Sequence, residues 1–287
     1  MNEEQIIARN LRLREYQGND RIVLAEDKRK EIIEENKATV PFRGLTGFTF
    51  IDEATKGFRK GQLVVLSGPP KNGKTQICQT FTKKFCNDGM KVLWFSYELG
   101  YEELFEKFPM TNLDFYVPNY LSSGNMDWVE EKIIETKLKH GLDYVFIDHL
   151  DFLRDTSVLT KSVSTNLSSY IGGIVQRIKS IAVKHEVIIF LMCHITKSKW
   201  TTNQLPTSEQ IRDSGQITQL ADIVMMMIRN RDKGQYIENF ATLGIMENRK
   251  TGKTGKLALK LVDEQFITVD TSEQTKIDNL DDNFDGF

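Results

Sequence analysis

The stretch Leu63–Thr75, Leu-Val-Val-Leu-Ser-Gly-Pro-Pro-Lys-Asn-Gly-Lys-Thr, constrains the fold of this chain more than any other. Its apolar, partly β-branched beginning reads as a buried strand, and Gln76 to Cys86 has helical character. Between them, Gly68-Pro69-Pro70-Lys71-Asn72-Gly73-Lys74-Thr75 satisfies the spacing G-x-x-x-x-G-K-[ST]. Glycines at both ends let the backbone close around an anion with successive N–H groups turned inward. The helix start at Thr75 and Gln76 adds partial positive charge at the same place. This setting predicts a triphosphate cradle in which Lys74 reaches the β- and γ-phosphates and Thr75 holds Mg²⁺.

The chain around the loop alternates strands and helices, which predicts an α/β fold: a mainly parallel sheet with helices on its faces. Lys91 to Glu98, Tyr144 to Asp148, Val187 to His194 and Ala221 to Arg229 are apolar runs, each ending on a polar or charged residue. Helical periodicity is clearest in Met126 to Lys139 and Ile171 to Lys184. Phe240 to Asn248, Lys256 to Val262 and Gln265 to Val269 alternate apolar and polar residues, as antiparallel strands do. Gly252-Lys253-Thr254 repeats the Gly-Lys-Thr trio, but Glu247 stands where the first glycine belongs and no helix follows, so it reads as a hairpin turn.

Ahead of this core, residues 1–39 read as a helical arm. Ile6, Ile7 and Leu11, then Ile22, Val23 and Ala25, then Ile32 and Ile33 form a thin apolar stripe, broken at Gly18-Asn19-Asp20 with Asp20 as a helix cap. So thin a stripe builds no core of its own and must dock on the body or on a neighbouring subunit. The expected division is arm 1–39, nucleotide-binding domain 40–270 and acidic tail 271–287.

The net charge of −2 announces no nucleic-acid binder, although the tail carries five acids against Lys276, leaving the remainder at +2. Cys78, Cys86 and Cys193 are too few and too scattered for a disulfide framework or a zinc site. With no long apolar run and a polar N-terminus, the expectation is a cytoplasmic protein that does not engage a membrane.

In an open parallel sheet, ligands lie beyond the carboxyl ends of the strands. Four strands therefore deliver Thr75, Glu98, Asp148 and His194 to one edge. Hydrolysis of a cradled triphosphate needs a metal, a carboxylate to orient or deprotonate water, and positive charge at the γ-phosphate. Asp148 suits the metal shell, Glu98 the water-activating base and His194 a γ-phosphate contact.

The order of these residues resembles the RecA-like hexameric replicative helicases. The phosphate loop, Glu98 after Trp94-Phe95-Ser96-Tyr97, Ile147-Asp148-His149 and Cys193-His194 carry the likeness. Gln210 to Asp222 looks like that family's arginine-bearing signature, and Asn248-Arg249-Lys250-Thr251-Gly252 like its arginine-finger segment. The likeness is nearest to the helicase half of phage primase-helicases and Twinkle, with DnaB more distant, because His194 stands where DnaB-type proteins carry glutamine.

The resemblance implies a ring, expected to be a hexamer, that binds ATP (or another NTP or dNTP) with Mg²⁺ and moves 5′→3′ on single-stranded DNA, unwinding forked DNA. Lys74, Glu98, His194 and Arg249 would be catalytic, Thr75 and Asp148 would hold the metal, and Arg229 would lie near the nucleotide. Arg249 would enter the neighbouring subunit's site. Family members usually carry lysine two residues before the finger, where Glu247 stands here. Loops 154–168 and 195–206 would feel nucleotide state, with Lys197 and Lys199 touching DNA phosphates. The acidic tail, ending in Phe287, would dock on a replicative polymerase, primase or single-strand-binding protein. Two rival readings are a RecA/RadA-type recombinase or mediator and a KaiC-like ATP-switched assembly protein.

Overall fold

A computed structural model describes residues 2–18, 21–38, 44–106, 108, 113–154, 167–195, 203–211, 214–232 and 235–269. Two compact units emerge, Met1–Phe42 and Arg43–Phe287. The first holds α1 (Glu3–Arg14) and α2 (Ala25–Ala38). Asn2 caps α1 by accepting from the Gln5 amide at 2.9 Å, and Gln5 answers with a bond to the Asn2 amide. No residue of α1 is buried, so the sparse apolar stripe makes no core. The second helix begins at Ala25, not near Asp20, which lies outside the described residues, as does Asn19. Ile22 is outside the helix and 97% exposed, because the apolar spacing at 22–25 is too short to specify a turn.

The second unit is built on a sheet of nine strands among the described residues, in the order β3-β2-β4-β5-β1-β6-β7-β8-β9. These are β1 (Leu63–Gly68), β2 (Val92–Ser96), β3 (Phe115–Tyr116), β4 (Tyr144–Asp148), β5 (Ile188–His194), β6 (Ile223–Asp232), β7 (Gln235–Asn248), β8 (Gly255–Val262) and β9 (Gln265–Thr268). From β3 through β6 the strands run parallel, and β7, β8 and β9 continue antiparallel. The expected mainly parallel sheet with an antiparallel C-terminal extension is what forms. β1 lies between β5 and β6 and is buried throughout.

The strict period of two along each strand divides the core into two layers. On one face, Tyr144, Phe146 and Phe190 meet Phe81 and Phe85 of α4 (Lys74–Asn87), with Phe85 stacked on Tyr144 at 3.9 Å. Trp94 stacks on Phe146 and donates its indole N–H to Thr82 at 2.9 Å, so its polar atom is satisfied in the core. On the other face, Val65, Phe95, Val145, Ile147 and Leu191 pack with residues of α6 (Met126–His140), α7 (Leu167–Lys184) and α8 (Ser214–Leu220). Fully burying each such side chain contributes about 1.5–3 kcal/mol.

Three short elements add to these. α3 (Thr49–Thr55) forms because Asp52 gathers the Thr46 and Gly47 amides and the Thr46 hydroxyl. β3 is a two-residue edge strand, too short to show a period, and α5 (Tyr101–Glu106) is a single short helix. β2 stops at Ser96 and does not reach Glu98: the amides of Tyr97 and Glu98 both turn to the Asp148 carbonyl, at 2.7 and 3.1 Å. α7 begins at Leu167, earlier than Ile171, and β6 runs past Arg229 to Asp232. Gly252-Lys253-Thr254 lies in the β7–β8 hairpin, as read.

Candidate nucleotide site

The phosphate loop leaves β1 at the carboxyl edge of the sheet. Gly68 has φ +152°, and a Cβ there would stand 2.1 Å from the Met227 carbonyl oxygen, so only glycine lets β1 pass β6 this closely. Gly73 is left-handed at φ +88° and is the residue from which α4 starts. Asn72 ties the loop down: its amide donates to the Pro70 carbonyl at 2.8 Å and its oxygen accepts from the Arg229 amide at 2.7 Å. Gln76, the next residue after Thr75, donates to the Glu264 carbonyl at 2.6 Å.

Lys74 is buried, with its ammonium donating to the carbonyls of Gly68 (3.2 Å) and Pro69 (3.0 Å) and to Nδ1 of His194 (3.3 Å). Burial lowers its pKa, while the Asp148 and Glu98 carboxylates oppose that fall. Thr75 donates its hydroxyl proton to Asp148 Oδ2 at 2.7 Å. Asp148 is fully buried, and among the described residues its Oδ1 has no hydrogen-bond partner. Burial pushes its carboxyl up to about 6, with the Glu98 charge adding to the rise and the Thr75 bond and Lys74 opposing it.

Glu98, His149 and His194, from the ends of the adjacent strands β2, β4 and β5, bring one polar atom each within 4.8 Å of one another. The two imidazoles meet edge to face at 4.3 Å. His149 Nδ1 accepts from the Asp151 amide at 3.2 Å, and burial, then the charges of Lys74 and Arg154, depress its pKa to about 4, so the ring is neutral at pH 7.

A cavity of about 530 Å³ opens beside the loop. Lys71, Asn72, Gly73, Lys74, Thr75 and Gln76 form its floor, Glu98 and Arg229 stand at its sides, and Phe240, Leu261 and Phe266 give an apolar wall. That wall comes from the antiparallel strands; β9 is held to α4 by the Phe266 amide donating to Thr80 at 3.1 Å. Alternation in the sequence marks Phe266 as a strand residue but carries no sign of what it faces. Arg229 lines this cavity, its guanidinium 4.6 Å over the Tyr236 ring.

Arg249 does not join this group. It follows β7 at the opposite edge of the sheet, exposed, with its amide donating to the Asp222 carbonyl at 3.0 Å. Asp222 in turn binds the first residue of β1: its amide donates to the Leu63 carbonyl, and its carboxylate accepts from the Leu63 amide at 2.7 Å and from Lys179 at 2.6 Å. The length of β1, about 17 Å, separates Arg249 from its own chain's phosphate loop. Lys197, Lys199, most of loops 154–168 and 195–206, and the tail lie outside the described residues.

These features define a RecA-like P-loop α/β domain. The chain belongs to the family of DnaB-like helicase C-terminal domains, whose family model matches residues 44–126 and 109–268. A replicative DNA helicase DnaB of Helicobacter pylori is 25% identical over 273 residues, covering 82% of this chain and 54% of the relative. A replicative DNA helicase DnaC of Bacillus subtilis is 24% identical over 260 residues, covering 78% and 56%. The chain spans about half the length of the curated relatives it matches. Among solved structures, an isolated ATPase domain superposes with a TM-score of 0.70 at 20% identity, over 87% of this chain and all of that one. A DnaB-like replicative helicase described with its interactions with primase gives 0.68 at 18% identity, over 93% and 72%. No described helix is long and apolar enough to cross a membrane.

Proposed function

We propose that this chain is the motor of an ATP-dependent replicative DNA helicase: a ring, read as a hexamer, that translocates 5′→3′ on single-stranded DNA and unwinds the duplex at a fork. Glu98, Asp148 and His194 stand with the phosphate loop at one sheet edge, and Arg249 stands at the other. That separation is the observation that most favours a shared site, because no rotamer of Arg249 spans the length of a strand.

In this reading the loop from Gly68 to Gln76 wraps the triphosphate, whose oxygens accept from its non-proline amides, and Lys74 leaves the Gly68 and Pro69 carbonyls for the β- and γ-oxygens. The donor set fits Mg²⁺: the Thr75 hydroxyl and a buried Asp148 carboxylate with one oxygen lacking a partner are hard oxygen ligands. Bound there, the ion would draw charge from the β- and γ-phosphates. Glu98, exposed at the rim, orients the attacking water and takes its proton, while His194 contacts the γ-phosphate. Arg249 of a neighbouring subunit stabilises the charge that builds on the transferring phosphoryl group, a contribution of roughly 10³–10⁵ in rate. Glu247, paired with Val224 in the β6–β7 ladder, stands where a second positive contact is usual and leaves that contact to Lys250 or Lys253.

The remaining parts follow the same reading. Residues 1–39 pack on the adjacent subunit, 40–270 form the motor and 271–287 recruit a polymerase, primase or single-strand-binding protein. Lys197 and Lys199 grip DNA phosphates, and His194 puts the chain nearer the phage primase-helicases than DnaB. The site accepts ATP or another NTP or dNTP, and the protein works in the cytoplasm.

Forked-DNA unwinding beside electron microscopy of the assembly tests the proposal. Closed rings, DNA-stimulated hydrolysis and unwinding abolished by Lys74→Ala are expected. Slow hydrolysis indifferent to single-stranded DNA would instead favour an ATP-switched assembly protein, and strand exchange by open filaments a recombinase.

A further inference from the structure

His149 has no part in the reading above beyond following Asp148, yet its ring stands between the two residues assigned to the attacking water and the γ-phosphate. The polar atoms that Glu98, His149 and His194 contribute lie within 4.8 Å of one another. Any three points so spaced share a centre no farther than that length divided by √3, about 2.8 Å, from each of them. A water oxygen at that centre is within hydrogen-bond reach of all three.

The protons on the rings decide what such a water would meet. An ammonium only donates, so the Lys74 contact makes Nδ1 of His194 an acceptor. The Asp151 amide does the same to Nδ1 of His149. With Nδ1 accepting, the proton of each ring stands on Nε2. Glu98 faces this pair of rings with a carboxylate acceptor. Among the described residues, Nε2 of His149 has no hydrogen-bond partner.

We propose that His149 is a positioning residue for hydrolysis: its Nε2–H holds the attacking water against Glu98. This rests on the ATPase reading of the site. Glu98 alone is exposed and mobile about several bonds, whereas His149 is buried, capped by Asp151 and packed on Phe152 at 5.0 Å. A fixed donor confines the water where an exposed carboxylate cannot.

Two substitutions separate this role from the cap on Asp151. In His149→Asn the amide oxygen can replace Nδ1 as the acceptor for Asp151, but no group reaches the position of Nε2. In His149→Gln the amide nitrogen reaches that position, while the Nδ1 acceptor is lost. Steady-state ATP hydrolysis by the full chain with single-stranded DNA should show kcat reduced roughly tenfold or more in His149→Asn, and by only about three- to fivefold in His149→Gln. KM for ATP should stay within about twofold in both, because a water contact is not a contact with bound ATP. Binding of a fluorescent ADP and the melting temperature report folding in each variant.

If His149→Asn hydrolyses as fast as His149→Gln or faster, the residue is only a turn cap and the proposal is overturned. A rise in KM with kcat intact also overturns it. Unwinding that fails while the Gln-over-Asn order persists refutes the helicase reading and supports this one. Unwinding that persists with the order reversed does the opposite.

Discussion

Asp148→Asn should make the metal-free protein more stable while abolishing hydrolysis. The side chain is fully buried, and its carboxyl is pushed from 3.8 to about 6. At ~1.4 kcal/mol per tenfold in proton affinity, the ionised form costs the empty fold about 3 kcal/mol. A carboxyl whose pKa is raised by folding imposes no penalty below its unfolded value of 3.8. Its penalty grows as pH rises toward about 6 and is complete above that. Asparagine keeps the size and an oxygen to accept from Thr75, but leaves an amide N–H where Oδ1 now lacks a partner, returning about 1 kcal/mol. A net gain of about 1–2 kcal/mol remains at pH 8, or about 2–6 °C in Tm for a unit of this size. Thermal melts in EDTA without nucleotide, at pH 8 and pH 5, read the effect directly. A variant that melts at or below the unsubstituted protein at pH 8, or a gap of equal size at pH 5, would refute the assigned cost.

Other substitutions test the scaffold that aims the site. Gly68→Ala places a methyl 2.1 Å from the Met227 carbonyl oxygen, so β1 and β6 must shift; strain of roughly 1–3 kcal/mol should weaken ADP binding by roughly ten- to hundredfold in a fluorescence titration. Affinity within twofold of the unsubstituted protein would contradict the close approach. Asp222→Ala removes the acceptor shared by the Leu63 amide and Lys179 at the foot of β1, and should cost about 2–3 kcal/mol, read as a lower urea midpoint with an unchanged slope. An unchanged midpoint would show that water replaces the carboxylate there.

Much of this architecture is legible in the chain because its signals are local. β1, β4 and β5 are covered by helices on both faces, so each reads as an unbroken apolar run ending at the residue it presents: the phosphate loop, Asp148 and His194. The Gly-Lys-Thr loop is equally plain, since glycine is the one residue that tolerates the φ of Gly68 and its contact with β6. What is hidden depends on partners far away in sequence. α3 is stabilised by one aspartate accepting from amides that precede the helix, and its seven residues are too few to show a helical period. Phe266 looks like any strand residue until β9 folds over α4 and makes it a wall of the cavity. Asp222 stands inside the apolar run Ala221 to Arg229 in the sequence, and only the fold shows that it clasps the start of β1. His149 is one residue past an expected metal ligand, yet its tautomer is set by the Asp151 amide, which no spacing rule reports.

The central claim is that each competent site is assembled from two subunits. The most direct measurement mixes Lys74→Ala protein, which keeps its finger, with Arg249→Ala protein, which keeps its phosphate loop, and follows ATP hydrolysis across mixing ratios. A shared site predicts that two inactive preparations regain activity together, peaking at intermediate ratios, where Arg249 from one faces an intact loop on the other. Silence at every ratio, or full-rate hydrolysis by an isolated protomer of the unsubstituted chain, would contradict it.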